Sequence, residues 1–310
     1  MRVVFLGTPE FAIPSLKALA SEHELVAVFT QPDRPKGRGR QVAESPVKTA
    51  ASILGVPIYQ PERIRRPESI ELLRNLGAEI MVVVGYGQII PQSIIDLPEH
   101  GILNVHASLL PKYRGAAPIQ WAIANGETET GATIMQIDAG LDTGDMLLKA
   151  KTEIGADETA PELSARLAPL GAELLLDAIR LIAQGKAQRE KQNDTEATLA
   201  PVLKKEDGLI DWSNSAPQIY NRLRGFTPWP GAYTSFRRTQ MSIVAAQPRE
   251  APHVAPGVLT VEKRRLFAGC GKNTTLELLQ IQLAGKKVMS AEAFLNGYRL
   301  ADNESLGDQI

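Results

Sequence analysis

The sequence predicts an α/β protein: a doubly wound, mostly parallel sheet with helices on both faces, joined to a smaller C-terminal β-barrel. Three observations lead there. Short continuous apolar runs alternate with helical patterns from the N-terminus to about residue 188, as strand–helix repeats do. After residue 206 short β-rich runs are separated by Pro and Gly, as in a small barrel. The length, 310 residues, exceeds one small core and favours two domains. The expected organisation is a first domain at 1–188, a linker at 189–205 and a second domain at 206–310.

In chain order, residues 2–7 form an apolar run ending in Gly7 and predict a buried strand. Thr8-Pro9 then reads as an N-cap with a proline in the first helical turn, and Phe11, Leu16 and Leu19 supply the apolar positions of that helix. Leu25–Phe29 and Ile80–Val84 are continuous β-branched and apolar runs, the pattern of strands buried on both faces. Residues 46–54 and 68–76 read as helices. Gly101–His106 is a further strand with polar residues at its end. Residues 159–184 predict a long helix that Pro169 should kink or divide. Residues 186–205 are polar and mixed in charge, a linker texture. Beyond them, one helix near 216–224 precedes strands at 233–236, 242–245, 257–261 and 276–281.

Composition narrows the function classes. Hydrophobic residues make up 44 % and charged residues 22 %, as in ordinary soluble domains. No apolar run approaches the roughly 20 residues of a membrane helix. The opening apolar run is shorter than the ~7–15 residues of a signal peptide's core and no cleavage site follows it, so a cytoplasmic location is expected. A single cysteine, Cys270, excludes an internal disulfide. Four widely spaced histidines and that cysteine do not make a zinc site, and no metal is expected. Charge is uneven: residues 1–200 carry 20 basic and 25 acidic side chains, whereas 201–300 carry 14 and 7. The net +7 of residues 201–300 suits an anionic partner. Its candidate contacts are Lys204, Lys205, Arg237, Arg238, Lys263, Arg264, Arg265, Lys286 and Lys287. Trp212, Trp229 and Phe226 could stack on bases, but core packing is the expected role.

The densest group of chemically capable residues runs from Asn104 to Asp145. Asn104 and His106 are two apart on a strand, so their side chains share a face. Asp142 lies in a glycine-rich turn, Asp138-Ala139-Gly140-Leu141-Asp142-Thr143-Gly144-Asp145. The end of a parallel strand is where such folds bind ligands. An amide donor, an imidazole and a carboxylate are the groups that acyl transfer to an amine requires. The amide stabilises the developing oxyanion, the imidazole moves a proton near neutral pH, and the carboxylate orients the imidazole.

Several segments then resemble the folate-dependent formyltransferases, in particular the branch acting on methionyl-tRNA. They are Phe-Leu-Gly-Thr-Pro-Glu-Phe at 5–11, Gln-Pro-Asp-Arg-Pro-Lys-Gly-Arg-Gly-Arg at 31–40, Ser-Pro-Val-Lys at 45–48 and Val-Val-Val-Gly-Tyr-Gly-Gln-Ile-Ile-Pro at 82–91. Asn-Val-His-Ala-Ser-Leu-Leu-Pro-Lys-Tyr-Arg-Gly at 104–115, Gly-Leu-Asp-Thr-Gly-Asp-Met at 140–146 and Gly-Lys-Lys-Val-Met-Ser at 285–290 complete the set. Ala107 departs from the glycine usual in the family. The resemblance implies a Rossmann-like formyltransferase domain, an OB-like second domain and Asn104, His106 and Asp142 as the catalytic set. It implies 10-formyltetrahydrofolate as co-substrate, bound against Gln88, Ile89, Ile90, Ser108, Leu109, Leu110 and Pro111 and the 138–142 turn. It implies initiator methionyl-tRNA as acceptor, with Arg34, Lys36, Arg38 and Arg40 on a basic loop of net +3 at 31–49 reaching the acceptor end. No obligate protein partner is expected. An amino-sugar formyltransferase would share the folate site but has no use for that basic loop. A dinucleotide oxidoreductase would need a Gly-x-Gly-x-x-Gly run after the first strand, which is missing.

Overall fold

A computed structural model describes residues 1–36, 41–250 and 253–307. The chain forms two compact units, one of residues 1–118, 129–153 and 163–201, the other of 119–128, 154–162 and 202–310.

The first unit is built on a seven-stranded sheet. In chain order its strands are β1 (Arg2–Gly7), β2 (Glu24–Phe29), β5 (Ile58–Tyr59), β6 (Ile80–Val84), β7 (Ile102–His106), β8 (Glu129–Gln136) and β9 (Met146–Glu153), while β3 (Arg34–Lys36) and β4 (Gln41–Ala43) form a separate ribbon. The sheet order is β5-β2-β1-β6-β7-β8-β9. The first five strands are parallel, and β8 and β9 extend the edge antiparallel. The parallel strands are buried on both faces, which is why they read as unbroken apolar runs. Val3, Phe5, Val82, Val84, Leu103 and Val105 pack on one face with Leu16 and Leu19 of α1 (Ile13–Glu22), Val47 and Ala51 of α2 (Pro46–Leu54), and Leu175 and Ile179 of α6 (Ala160–Ala183). Val4, Leu6, Met81, Val83 and Ile102 pack on the other with Leu73 of α3 (Pro67–Asn75) and Ile94 of α4 (Gln92–Ile95). Each fully buried large apolar side chain contributes roughly 1.5–3 kcal/mol.

Two local expectations are corrected. Thr8 does not cap the first helix: Glu10–Ala12 forms a 3-10 turn, and α1 starts at Ile13 with Pro14 in its first turn. The Thr8 hydroxyl instead donates to the Tyr86 carbonyl at 3.1 Å and faces the Gln31 N–H at 3.4 Å, which ties the ends of β1, β2 and β6 together. Of the two outcomes expected at Pro169, a kink or a division, division does not occur: α6 runs as one helix through Ala183. Its apolar stripe, packed against the sheet, outweighs the single hydrogen bond a proline removes.

The second unit is antiparallel. Strands β10 (Ala232–Phe236), β11 (Thr239–Pro248), β12 (Leu259–Glu262), β13 (Arg265–Cys270) and β14 (Thr274–Leu283) take the order β10-β11-β14-β13-β12, with β15 (Met289–Ser290) on β14. Residues 304–307 close the circle. Leu259 N–H donates to the Glu304 carbonyl, Leu306 N–H to Gly257 and Gly307 N–H to Ser235. This bridges β12 to β10 and gives the expected barrel. Helices α7 (Ala216–Gly225) and α8 (Ala291–Gly297) pack on its core through Ile219, Leu223 and Phe294. Trp212 and Phe226 are buried as expected; Trp229 is not, being 55 % exposed. Buried Arg224 donates to the Gly155 and Glu158 carbonyls at 3.0 Å, and Trp121 meets Phe226 edge-on at 5.2 Å, which brings 119–128 and 154–162 into this unit.

Burial pushes the Cys270 thiol up to about 12. The reactive thiolate is therefore nearly absent in the folded protein at about pH 8. Maleimide should leave native protein unlabelled and label it fully in urea; rapid native labelling would contradict this burial.

Candidate active site

Strand β7 sorts its side chains by alternation. Leu103 and Val105 enter the core, while Ile102, Asn104 and His106 face the other way. Asn104 is 9 % and His106 5 % exposed, so both polar groups need partners inside the protein. His106 Nε2 lies 2.9 Å from the Tyr113 carbonyl. A carbonyl only accepts, so Nε2 carries the proton in the neutral ring and Nδ1 keeps its lone pair. Nδ1 faces Asp142 Oδ2 at 3.6 Å. The other carboxylate oxygen, Oδ1, is 3.4 Å from Asn104 Nδ2, and Oδ2 also accepts from the Gly115 N–H at 2.8 Å. The three side chains singled out in the sequence therefore meet, although 38 positions separate Asn104 from Asp142.

The segment after β7 is held by bonds the sequence did not reveal. Ser108, fully buried, donates its hydroxyl to the Lys112 carbonyl at 2.6 Å. Thr133 of β8 donates to the Ser108 carbonyl at 2.7 Å and accepts from the Leu110 N–H at 3.2 Å. Leu110-Pro111 is cis, and Tyr113 sits at φ 62°. The Tyr113 N–H donates to Thr198 Oγ1 at 2.9 Å, and Arg114 exchanges main-chain bonds with Thr198 and Ala200. Residues 192–200, read as linker, thus brace the site. Their signal was weak, because a polar stretch of mixed charge gives no hint of where it docks.

The proposed folate residues lie at the carboxyl ends of the adjacent parallel strands β6 and β7. Gly85 and Gly87 both adopt positive φ. Gln88 spends its side chain on the neighbouring loop, accepting from the Ile64 N–H at 2.7 Å and donating to the Pro61 carbonyl at 3.1 Å. Among the described residues, no hydrogen bond engages the main-chain N–H groups of Gln88, Ile89 or Ile90. Ile89 is 90 % and Leu141 62 % exposed, whereas Ile90 and Leu110 are buried. Free main-chain donors beside apolar side chains suit a flat heterocycle.

In the basic loop, Arg34 is exposed and begins β3, and Lys36 ends it. Arg38 and Arg40 lie outside the described residues. Lys48 does not contribute a free charge, since it pairs with Asp33 and with Glu44 at 3.0 Å. Gln60 Nε2 bonds the Gln31 carbonyl at 2.9 Å and Asp33 at 2.8 Å, fixing the loop's base. In the second unit, Arg237 pairs with Glu304, Arg264 with Glu292 and Arg265 with Glu277. The Arg265 guanidinium holds the Glu277 carboxyl below its usual range, against the opposing effect of burial. Lys204, Lys205, Arg238, Lys263, Lys286 and Lys287 are exposed, and among the described residues no ion pair engages them. No cluster of three metal-capable side chains occurs among the described residues, and none of their helices is long and apolar enough to cross a membrane.

Residues 1–179 match the formyl transferase family model and 202–299 the model for the formyl transferase C-terminal domain. Methionyl-tRNA formyltransferase of Solibacter usitatus is 57 % identical over 309 residues, 99 % of each chain. The enzyme of the same name from Koribacter versatilis is 55 % identical, again over 99 % of each. Among solved structures, the N-formyltransferase of Helicobacter canadensis, in complex with folinic acid and dTDP-3-aminofucose, aligns with TM-score 0.66 at 18 % identity, over 89 % of this chain and 98 % of that one. At that identity the likeness is one of fold.

Proposed function

The chain belongs to the methionyl-tRNA formyltransferase family, and on that premise we propose how its residues move a formyl group from 10-formyltetrahydrofolate to the α-amino group of methionine on initiator tRNA. In that reaction a C–N bond forms to the methionine nitrogen and the bond from the formyl carbon to the folate nitrogen breaks. The first nitrogen loses a proton and the second gains one.

The observation that carries the assignment is the convergence of Asn104 and His106 on Asp142, with Nε2 of His106 locked by a carbonyl. Asn104 donates an amide N–H to the formyl oxygen as negative charge develops there, a contribution of ~10²–10³ in rate. His106 accepts the amine proton on Nδ1, the ring position left with a lone pair. Asp142 lies beside that nitrogen and stabilises the imidazolium until the proton passes to the leaving nitrogen. The folate ring is held by the main chain of 88–90 and the 108–111 segment.

Residues 1–188 act as the catalytic domain, 189–205 as a connection whose 192–200 stretch also braces the site, and 206–310 as a platform for the tRNA body, engaged through its free lysines and arginine. We assign the transfer to the cytoplasm, where aminoacylated tRNA is made.

Two acceptors separate this reading from the amino-sugar alternative. Given 10-formyltetrahydrofolate, the protein should formylate initiator methionyl-tRNA and leave a dTDP-amino sugar unmodified; the reverse outcome would overturn the assignment. Neutralising Arg38 and Arg40 should weaken tRNA use and flatten its salt dependence by roughly 0.7–0.9 in log–log slope per lost phosphate contact, with folate affinity unchanged. An unchanged slope would remove the loop from the tRNA interface.

A further inference from the structure

Asp142 occupies an unfavourable backbone state, with φ 51°, a region disfavoured for residues with a Cβ. A turn strained at its functional residue needs outside support, and one side chain 50 positions downstream provides it. Gln192 donates from Nε2 to the Asp142 carbonyl and to the Gly144 carbonyl, both at 2.8 Å. Its Oε1 accepts from Arg114 Nε at 2.9 Å, and Arg114, only 7 % exposed, also donates to Asp194 at 2.8 Å. Arg114 therefore decides which way the amide faces. Flipped, the amide would set its oxygen against two carbonyls and its NH2 against a guanidinium.

We propose that Gln192 is a positioning residue for formyl transfer: its oriented amide clamps the Asp142–Gly144 turn and keeps the Asp142 carboxylate beside Asn104 and His106. The inference rests on the reading of Asp142 as part of the catalytic set. Gln192 touches neither substrate in this account and acts only through the aspartate. Its loss should therefore lower kcat and spare both KM values.

The test compares Gln192→Met, which keeps length and loses the hydrogen bonds, with Gln192→Glu, which keeps the acceptor for Arg114 but turns an oxygen toward two carbonyls. With saturating initiator methionyl-tRNA and 10-formyltetrahydrofolate, Gln192→Met should lower kcat about tenfold or more, with both KM values within about twofold. Gln192→Glu should lower it further. Thermal unfolding run alongside shows that each variant is folded, and if Gln192→Met is not, Gln192→Glu decides. In an Asp142→Asn background the same substitutions should have little further effect. Turnover within about twofold of the parent, a loss confined to KM, or an undiminished loss in the Asp142→Asn background would overturn the proposal. The Asp142→Asn variant is assayed by itself in the same series. If it transfers at the parent rate, the catalytic reading fails; if only Gln192 proves silent, the clamp fails and that reading stands.

Discussion

His106→Ala should lower formylation of initiator methionyl-tRNA by at least ~10²-fold, and Asp142→Ala should do the same, in proteins that remain folded. The size follows from the geometry. His106 offers one ring nitrogen to the reaction, because the other is committed to the Tyr113 carbonyl at 2.9 Å. Removing the ring removes the base and leaves the amide of Asn104 as the remaining side-chain contribution. Removing the Asp142 carboxylate leaves an imidazolium with no counter-charge at 3.6 Å and frees the Gly115 N–H that it anchors. Steady-state turnover on charged tRNA, with circular dichroism on the same samples, checks both. Near-normal turnover in either variant would refute that residue's role.

Gly144→Ala should damage catalysis through the backbone without touching any of the three catalytic side chains. A Cβ at position 144 would lie 1.8 Å from the Gln136 carbonyl oxygen, which is backbone and cannot swing away. Relief requires the turn to part from β8, where the Gln136 N–H donates to the Asp145 carbonyl at 2.8 Å. Asp142 would move with it. A misplacement of about 1 Å at a reacting group costs ~10²-fold, so a kcat loss of that order is expected, with a lower unfolding midpoint. An alanine variant that matched the parent in both would show that the turn's position is not critical.

Much of this was legible in the sequence for identifiable reasons. Strands β1, β6 and β7 are buried on both faces, so apolar runs announced them. Asn104 and His106 stood out as polar residues at the end of such a run, and strand alternation alone put them on one face. Asp142 was visible through its glycine-rich turn and the family resemblance. What escaped was non-local. Thr8 looks like a helix cap, but its hydroxyl bonds Tyr86, 78 residues away. Thr133 and Gln192 act through main-chain carbonyls of distant segments, a role that spacing does not encode. Strand β13 was passed over because its centre, Leu-Phe-Ala-Gly-Cys, mixes in small residues that seldom form strands. Trp229 lies exposed between two prolines, although its size suggested the core.

The central claim is that Asn104, His106 and Asp142 work as a single constellation. Single-turnover formylation by the three alanine variants and by the combined triple variant tests it most directly. Groups that act as a unit give strongly non-additive losses, so the triple variant should be slower than His106→Ala by no more than the ~10²–10³ of the Asn104 amide, with nothing further from Asp142. Losses that multiply across the three positions would mean that each residue acts independently, and would contradict the account.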